Sequence, residues 1–273
     1  MIEIQESKLM NIQSVEDIAV ASQERRPVLA VRHGRGRTGG STFMDLLIQR
    51  ARAANRLVIV GDGDRRNATL ASLYPPGTAG GATQPVSDEI PDVKDWITSL
   101  AGEMVESRAS LILDLGGGDR VLAEYGRELA LPVFCETVGV EPLSIYMIGP
   151  DMEDFDHILA IYRAGYFRTE RSILVMNESL VRAGKTARGA FDVIVKRPEC
   201  RELAEGGTKF LFMPRLPCMV EMRDSGLSFY DAAKGKRGCR GKPMDPVRQF
   251  MVRSWLDEME RVFEKIGVLE WLP

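Results

Sequence analysis

Short apolar runs alternate along the chain with longer stretches in which apolar residues recur at helical spacing. This alternation is typical of βαβ units, and runs that are apolar at nearly every position are typical of parallel strands covered by helices on both faces. The predicted strands are residues 27–32, 56–61, 110–115, 142–148, 172–176 and 209–213. The predicted helices are residues 41–54, 92–107, 119–129, 152–164 and 246–266. The pattern therefore predicts an α/β fold, with a mainly parallel, twisted sheet and helices on both of its faces.

The same alternation bears on domain organisation. It continues from residue 27 without a repeat or an obvious linker, so we expect a single domain over residues 27–273. Residues 1–26 precede the first strand and are predicted to form an arm with at most one short helix. Residues 74–91 are rich in proline and glycine, which predicts a long loop before the second helix.

Composition changes this picture little. The 273 residues are 44% hydrophobic and 27% charged, which is ordinary for a globular protein with a substantial core. The formal net charge is −3, so any contact with nucleic acid needs a local basic patch. The four cysteines form no CxxC pair, and we find neither a signal-peptide pattern nor an apolar run of membrane-spanning length. We therefore expect a cytoplasmic protein.

Candidate chemistry begins directly after the first strand, in the segment VLAVRHGRGRTGGST. A strand that leads into a glycine-rich turn and then an amphipathic helix is the setting of a phosphate-binding loop, because glycines let backbone N–H groups approach the anion. The pattern GxxxxGK[ST] is matched at Gly34, Gly39 and Ser41, and Gly40 stands where the pattern has lysine. Taken alone, the segment is explained equally well as a glycine-rich turn with surface arginines.

Carboxylates follow the next two strands along the chain. Asp62 and Asp64 follow the second strand in VIVGDGD, and Asp114 lies at the end of the third in LILDL. Because the carboxyl ends of parallel strands meet at one edge of the sheet, we expect these side chains to lie beside the loop. We predict that Ser41, Asp62 and Asp114 hold Mg²⁺ and that Asp64 positions water. Individually, each aspartate is more often a cap or loop residue.

Together these motifs resemble the ParA/MinD group of P-loop ATPases, over roughly residues 27–266. The family loop reads KGGxGK[ST]. Arg35 stands at its signature lysine, Arg37 replaces a glycine, and Gly40 stands at the ordinary lysine. The segment DGDRRNAT and the glycine turn at residues 115–119 are also similar to the family. The resemblance implies a P-loop NTPase-like, three-layer α/β/α domain.

The resemblance also implies a site for ATP and Mg²⁺. The implied nucleotide-binding residues are Gly34, Gly36, Thr38, Gly39, Gly40, Ser41, Thr42, Asn177, Pro214 and Arg215. Of these, Asn177 is expected near the base, and Pro214 and Arg215 near the nucleoside. The implied catalytic residues are Asp64, Arg35 and Arg37. Because the lysine is absent, we expect Arg35 or Arg37 to enter the space at Gly40 and neutralise the phosphates.

Three functions remain open. The resemblance implies a nucleotide-binding switch, an ATP-dependent homodimer with slow ATPase activity, and we favour plasmid partition or transfer with an unidentified protein partner. The second is a scaffold that has lost hydrolysis, a pseudo-ATPase. The third is a P-loop kinase-like enzyme, because the DGDRRN segment resembles one in bacterial tyrosine kinases.

Two further features concern partners. The basic run Lys234, Lys236, Arg237, Arg240 and Lys242 is either a non-specific DNA contact, which would associate the protein with the nucleoid, or a solvated loop. The apolar stripe of the last predicted helix favours core packing over membrane binding, so we do not expect a membrane partner.

Overall fold

A computed structural model of the protein describes residues 25–115 and 119–273. Its strands are β1 (Val28–His33), β2 (Val58–Asp62), β3 (Ala82–Thr83), β4 (Ser110–Asp114), β5 (Glu141–Ile148), β6 (Arg171–Asn177) and β7 (Lys209–Met213). In the described parts of the chain, these seven strands form one parallel sheet in the order β3-β2-β4-β1-β5-β6-β7. The predicted α/β fold with a parallel sheet is confirmed.

The helices that connect the strands cover both faces of the sheet. They are α1 (Gly40–Ala53), α2 (Thr69–Leu73), α3 (Ile90–Ser107), α4 (Asp119–Leu129), α5 (Leu131–Thr137), α6 (Met152–Ala164), α7 (Ala187–Val195), α8 (Pro198–Glu205), α9 (Met219–Asp224), α10 (Phe229–Ala233) and α11 (Pro246–Ile266). Single 3₁₀ turns follow β6 at Glu178–Leu180 and α11 at Leu269–Trp271. The predicted helices correspond to α1, α3, α4, α6 and α11, with each end within two residues of its predicted position.

The central strand β1 shows how the two layers form. Alternate side chains of a strand point to opposite faces. Val28 and Ala30 belong to one apolar cluster, which is built mainly with α1, α10 and α11, whereas Leu29 and Val31 belong to another, built with α3, α4 and α5. Burial on both faces explains why the apolar run is nearly continuous.

The 74–91 segment is more regular than the predicted loop. Residues 82 and 83 form β3, which pairs in parallel with β2 at the edge of the sheet. Two residues are too short for a hydrophobic pattern, so the sequence does not reveal this strand. The helices α2, α5 and α7–α10 were not predicted because, at five to nine residues, they are too short to show a clear helical periodicity.

Parts of two predictions lie outside the described residues. These are residues 1–24 of the arm and residues 116–118 of the glycine turn. The remaining arm residues make ion pairs with the body of the protein, Arg25 with Glu270 and Arg26 with Glu141. Within the described residues, no helix combines the length and the apolar character that crossing a bilayer requires.

Candidate phosphate-binding site

The glycine-rich loop, residues 34–39, connects the carboxyl end of β1 to the first turn of α1. Strand β1 lies between β4 and β5, so the loop lies at the middle of the carboxyl edge of the sheet. In open parallel sheets this edge is where ligands bind. The N-terminus of α1 contributes unpaired backbone N–H groups and the positive end of the helix dipole.

Two glycines of the loop have conformations that other residues cannot adopt easily. Gly34 has φ 137°, and a Cβ there would lie 2.6 Å from the carbonyl oxygen of Met147 on β5. Gly39 has φ 87° and caps α1, and a Cβ there would overlap the side-chain amide of Asn177. These glycines therefore let the loop pass close to β5 and β6.

Ser41 and Asp114 meet beneath the loop. The Ser41 hydroxyl, in the first turn of α1, donates to Asp114 Oδ2 at 2.7 Å. Asp114 is the last residue of β4 and is only 2% exposed. A hydroxyl and a carboxylate oxygen are hard ligands of the kind Mg²⁺ takes in phosphate sites, where the phosphate and waters complete the shell. The donor set that the structure brings together here fits Mg²⁺.

The two aspartates after β2 differ in what they contact. Asp62 is buried, and its carboxylate accepts hydrogen bonds from the backbone N–H of Asp64 at 3.1 Å and of Ala71 at 2.8 Å. Burial raises the pKa of Asp62 to about 6, although both hydrogen bonds lower it. Asp64 accepts from the N–H of Asn67 at 2.9 Å and borders the cavity beside the loop. The structure thus brings Asp64 to the cavity and directs both Asp62 oxygens to the backbone.

A cavity of about 460 Å³ lies against the loop. Among its lining residues, those predicted from sequence are Gly36, Arg37, Gly39, Gly40, Ser41, Thr42 and Asp64. Asn67 and Thr69 also line it; they belong to the DGDRRNAT segment that resembles the family, but no role was predicted for them, and Arg32 was missed. Convergence of residues from β1, the loop, α1 and the segment after β2 makes this the candidate functional site.

The two loop arginines occupy different places. Arg35 Nη1 lies 2.8 Å from Glu153 Oε2 and 3.5 Å from Asp154 Oδ1, in the first turn of α6, and Arg35 does not border the cavity. Arg37 borders the cavity in a left-handed backbone conformation, φ 69°, at the position where the family pattern has glycine. Neither arginine contacts Gly40 as closely as a third arginine does.

That third arginine is Arg32, the penultimate residue of β1. It is 3% exposed, and its Nη2 donates to the carbonyl oxygen of Arg35 at 2.9 Å and to Thr38 Oγ1 at 3.4 Å. Its Nη1 lies 3.8 Å from Asp114 Oδ1. The sequence held a signal that we did not use: a buried arginine in a central apolar strand is rare unless it is paired.

Asn177 and Thr38 join the loop to β6. Asn177 Nδ2 donates to the carbonyl oxygen of Thr38 at 2.9 Å, and Asn177 Oδ1 accepts from the N–H of Ser179. The Pro214 carbonyl accepts from Trp255 Nε1 at 2.8 Å, and Arg215 is exposed. Pro214 and Arg215 follow β7 and do not border the cavity. Their contact with a nucleoside stays a prediction.

The basic segment, residues 234–242, lies between α10 and α11 and does not line the cavity. Its cations Lys234, Lys236, Arg237, Arg240 and Lys242 are all exposed. Lys236 pairs with Asp231 at 2.7 Å. The structure does not bring this segment into the candidate site.

The fold and the loop geometry together define an α/β protein with a parallel sheet and a glycine-rich, P-loop-like turn between its central strand and the following helix. No model of a protein family matches the chain, and no curated protein matches its sequence.

Three solved structures are similar to the chain, with sequence identities of only 13–16%. MinD cell division protein of Aquifex aeolicus is 13% identical, with a TM-score of 0.45, over 86% of this chain and 97% of that one. The nucleotide-binding protein of Archaeoglobus fulgidus in complex with ADP is 15% identical, with a TM-score of 0.42, over 77% of this chain and 90% of that one. Signal recognition particle receptor FtsY of Elizabethkingia anophelis in complex with GDP is 16% identical, with a TM-score of 0.41. That alignment covers 66% of this chain and only 60% of FtsY.

Proposed function

We propose that this protein binds ATP with Mg²⁺ at the loop and acts as a nucleotide-dependent switch of the ParA/MinD type. One observation carries the proposal: the Ser41 hydroxyl lies 2.7 Å from Asp114 Oδ2 directly beneath a glycine loop at a helix N-terminus. A serine at the start of α1 and an aspartate at the end of β4 are the residues needed to hold the metal of a metal–triphosphate complex.

Each part of the proposed site has one role. The backbone N–H groups of the loop and of the first turn of α1 bind the phosphates. Ser41 and Asp114 hold Mg²⁺, which neutralises phosphate charge when it is bound. Asp64 faces the cavity from the segment after β2 and orients the attacking water. We expect slow hydrolysis, because the lysine of the loop pattern is absent at Gly40.

We further propose that ATP joins two copies of the chain through Arg35. Arg35 stands at the family's signature position, and its side chain is 45% exposed. Its partners Glu153 and Asp154 hold it beside the loop without burying it, so it can exchange them for a phosphate of a second subunit. The switch function, with plasmid partition or transfer as the process and the 234–242 segment as a DNA contact, follows from the family resemblance.

The second candidate is a scaffold that binds nucleotide without hydrolysing it. The absence of lysine at position 40 favours this alternative, since a lost phosphate donor reduces turnover more than binding. The alternative shares the nucleotide site and differs only in turnover.

Calorimetric titration with ATP and with ADP, each with Mg²⁺ and with EDTA, tests the proposal. We expect ATP to bind with Mg²⁺ and to bind at least about tenfold more weakly in EDTA, because the metal offsets phosphate charge. Phosphate release measured in the same samples separates the switch from the scaffold. Absence of binding for both nucleotides with Mg²⁺ would exclude both functions.

A further inference from the structure

Position 40, where the loop pattern has lysine, cannot carry a side chain unless Arg32 moves. A Cβ built on Gly40 would lie 2.8 Å from Cζ and 2.9 Å from Nη2 of Arg32, and closer still to Nε. Carbon atoms do not approach other heavy atoms at such distances without displacement. The guanidinium of Arg32 therefore occupies the space into which a lysine at this position would extend.

Arg32 reaches this space from the sheet. It lies on β1, opposite Asp114 on β4 in the parallel register, and it borders the cavity together with Gly39, Gly40 and Ser41. Its charge is placed at the base of the loop, on the same side as the proposed Mg²⁺ ligands. In contrast, Arg35 is directed to α6, and Arg37 lies on the exposed turn of the loop.

The contacts of Arg32 hold its guanidinium in place. Nη2 donates to the carbonyl of Arg35 at 2.9 Å, and Nη1 lies 3.8 Å from Asp114 Oδ1. Arginine keeps its charge in a buried site, and its fork of N–H donors matches the oxygens of phosphate. Because Arg32 is only 3% exposed, its charge is screened by water much less than a surface charge would be.

We propose that Arg32 contacts the β- and γ-phosphates of bound nucleotide from strand β1 and replaces the lysine that P-loops carry at the start of the helix. This inference rests on the proposed nucleotide site. It also gives a physical reason for glycine at position 40: a side chain there would displace the guanidinium of Arg32 from its present place. In this site the cation comes from strand β1 and not from the start of helix α1.

A double-variant cycle between positions 32 and 40 tests the inference. Arg32→Ala, Gly40→Lys and the double variant Arg32→Ala/Gly40→Lys are compared with the unchanged protein in two measurements. One is the melting temperature without ligand, and the other is the dissociation constant for Mg²⁺–ATP by calorimetry. Arg171→Ala is the matched control, because it removes an arginine from the amino end of β6, the opposite edge of the sheet.

We expect Arg32→Ala to weaken Mg²⁺–ATP binding by about 10- to 100-fold, the range for a charged hydrogen-bonding group. Gly40→Lys alone should lower the melting temperature by about 2–10 °C, because it overfills the site. In the double variant the lysine has room, so affinity should return to within about tenfold of the unchanged protein. Arg171→Ala should bind as the unchanged protein does.

If Arg32→Ala does not fold, Arg32→Gln serves as a second variant, because glutamine fills more of the space than alanine, keeps N–H donors and lacks the charge. It should lose affinity to the same degree as Arg32→Ala. If the unchanged protein binds Mg²⁺–ATP and Arg32→Gln binds it equally well, Arg32 only braces the loop and the inference is overturned. A double variant that binds no better than Arg32→Ala also overturns it. If the unchanged protein itself binds no nucleotide, the proposed function fails.

Discussion

The carboxyl edge of the sheet and the 234–242 segment both concentrate charge, but they hold it differently. At the edge, Arg32 and Asp114 are buried and pair across neighbouring strands. Arg32 also donates to the loop, and Asp114 accepts from Ser41 at the start of α1. In the 234–242 segment, the cations are exposed, and Lys236 pairs with Asp231 at the surface. Buried charge that is paired across elements is costly to remove, whereas exposed charge contributes little to stability. The comparison favours the carboxyl edge of the sheet, and not the 234–242 segment, as the candidate functional site.

The largest expected difference between the two regions is in stability. Asp114→Ala leaves the buried Arg32 without its carboxylate partner, so the free energy of unfolding should fall by about 3–5 kcal/mol. Asp231→Ala removes the partner of the exposed Lys236 and should cost less than about 1 kcal/mol. Urea unfolding of the two variants measures both values. Equal losses would remove the distinction between a buried and a surface cluster.

The next effect concerns the metal. Ser41→Ala should weaken ATP binding in Mg²⁺ by about 10-fold or more and leave binding in EDTA unchanged, because in the proposed site the hydroxyl acts on the nucleotide only through the metal. Ser72→Ala is the control, since this exposed serine on α2 donates only to the carbonyl of Ala68. Calorimetry with and without Mg²⁺ distinguishes the two. A Ser41→Ala loss of the same size in EDTA would show that the hydroxyl holds the loop and not the metal.

Association should depend on Arg35. If Arg35 reaches a phosphate of a second subunit, ATP should shift the protein from monomer to dimer in sedimentation, and Arg35→Ala should abolish the shift. Arg261→Ala, on the exposed face of α11, should dimerise normally. A dimer that is indifferent to both ATP and Arg35 favours the scaffold.

The smallest expected effect is in the 234–242 segment. DNA binding there should be independent of sequence and should fall steeply with salt, because counterion release drives it. The triple variant of Lys236, Arg237 and Arg240 to alanine should lose this binding and keep its melting temperature within about 2 °C, since these side chains are exposed. Fluorescence anisotropy with labelled duplex at several salt concentrations measures the loss. Unchanged binding would place any DNA contact elsewhere.

The sequence predicts the sheet well, because strands buried on both faces are apolar at almost every position, as in β1 and β5. It also predicts that the loop, Asp64 and Asp114 lie together, because parallel strands end at one edge. It does not separate Asp62 from Asp64. The chain turns after Asp62, so strand periodicity no longer fixes side-chain direction there.

Arg32 was missed for a related reason. The loop pattern starts at Gly34, so a search for the missing cation among loop residues found only Arg35 and Arg37. Whether a strand residue reaches the loop depends on strand register and on the backbone path of the loop, which sequence spacing does not give. The combination of glycine at position 40 and arginine in an apolar strand becomes meaningful only when the Gly40–Arg32 contact is known.

A crystal structure with Mg²⁺ and a non-hydrolysable ATP analogue tests the central claim most directly. We predict that the triphosphate lies against residues 34–41, with Mg²⁺ bound to Ser41. An N–H group of Arg32 should lie about 3 Å from a β- or γ-phosphate oxygen. A triphosphate bound away from this loop would contradict the proposed site. A triphosphate in the loop that is contacted by Arg35 or Arg37 of the same subunit, and not by Arg32, would contradict the role given to Arg32.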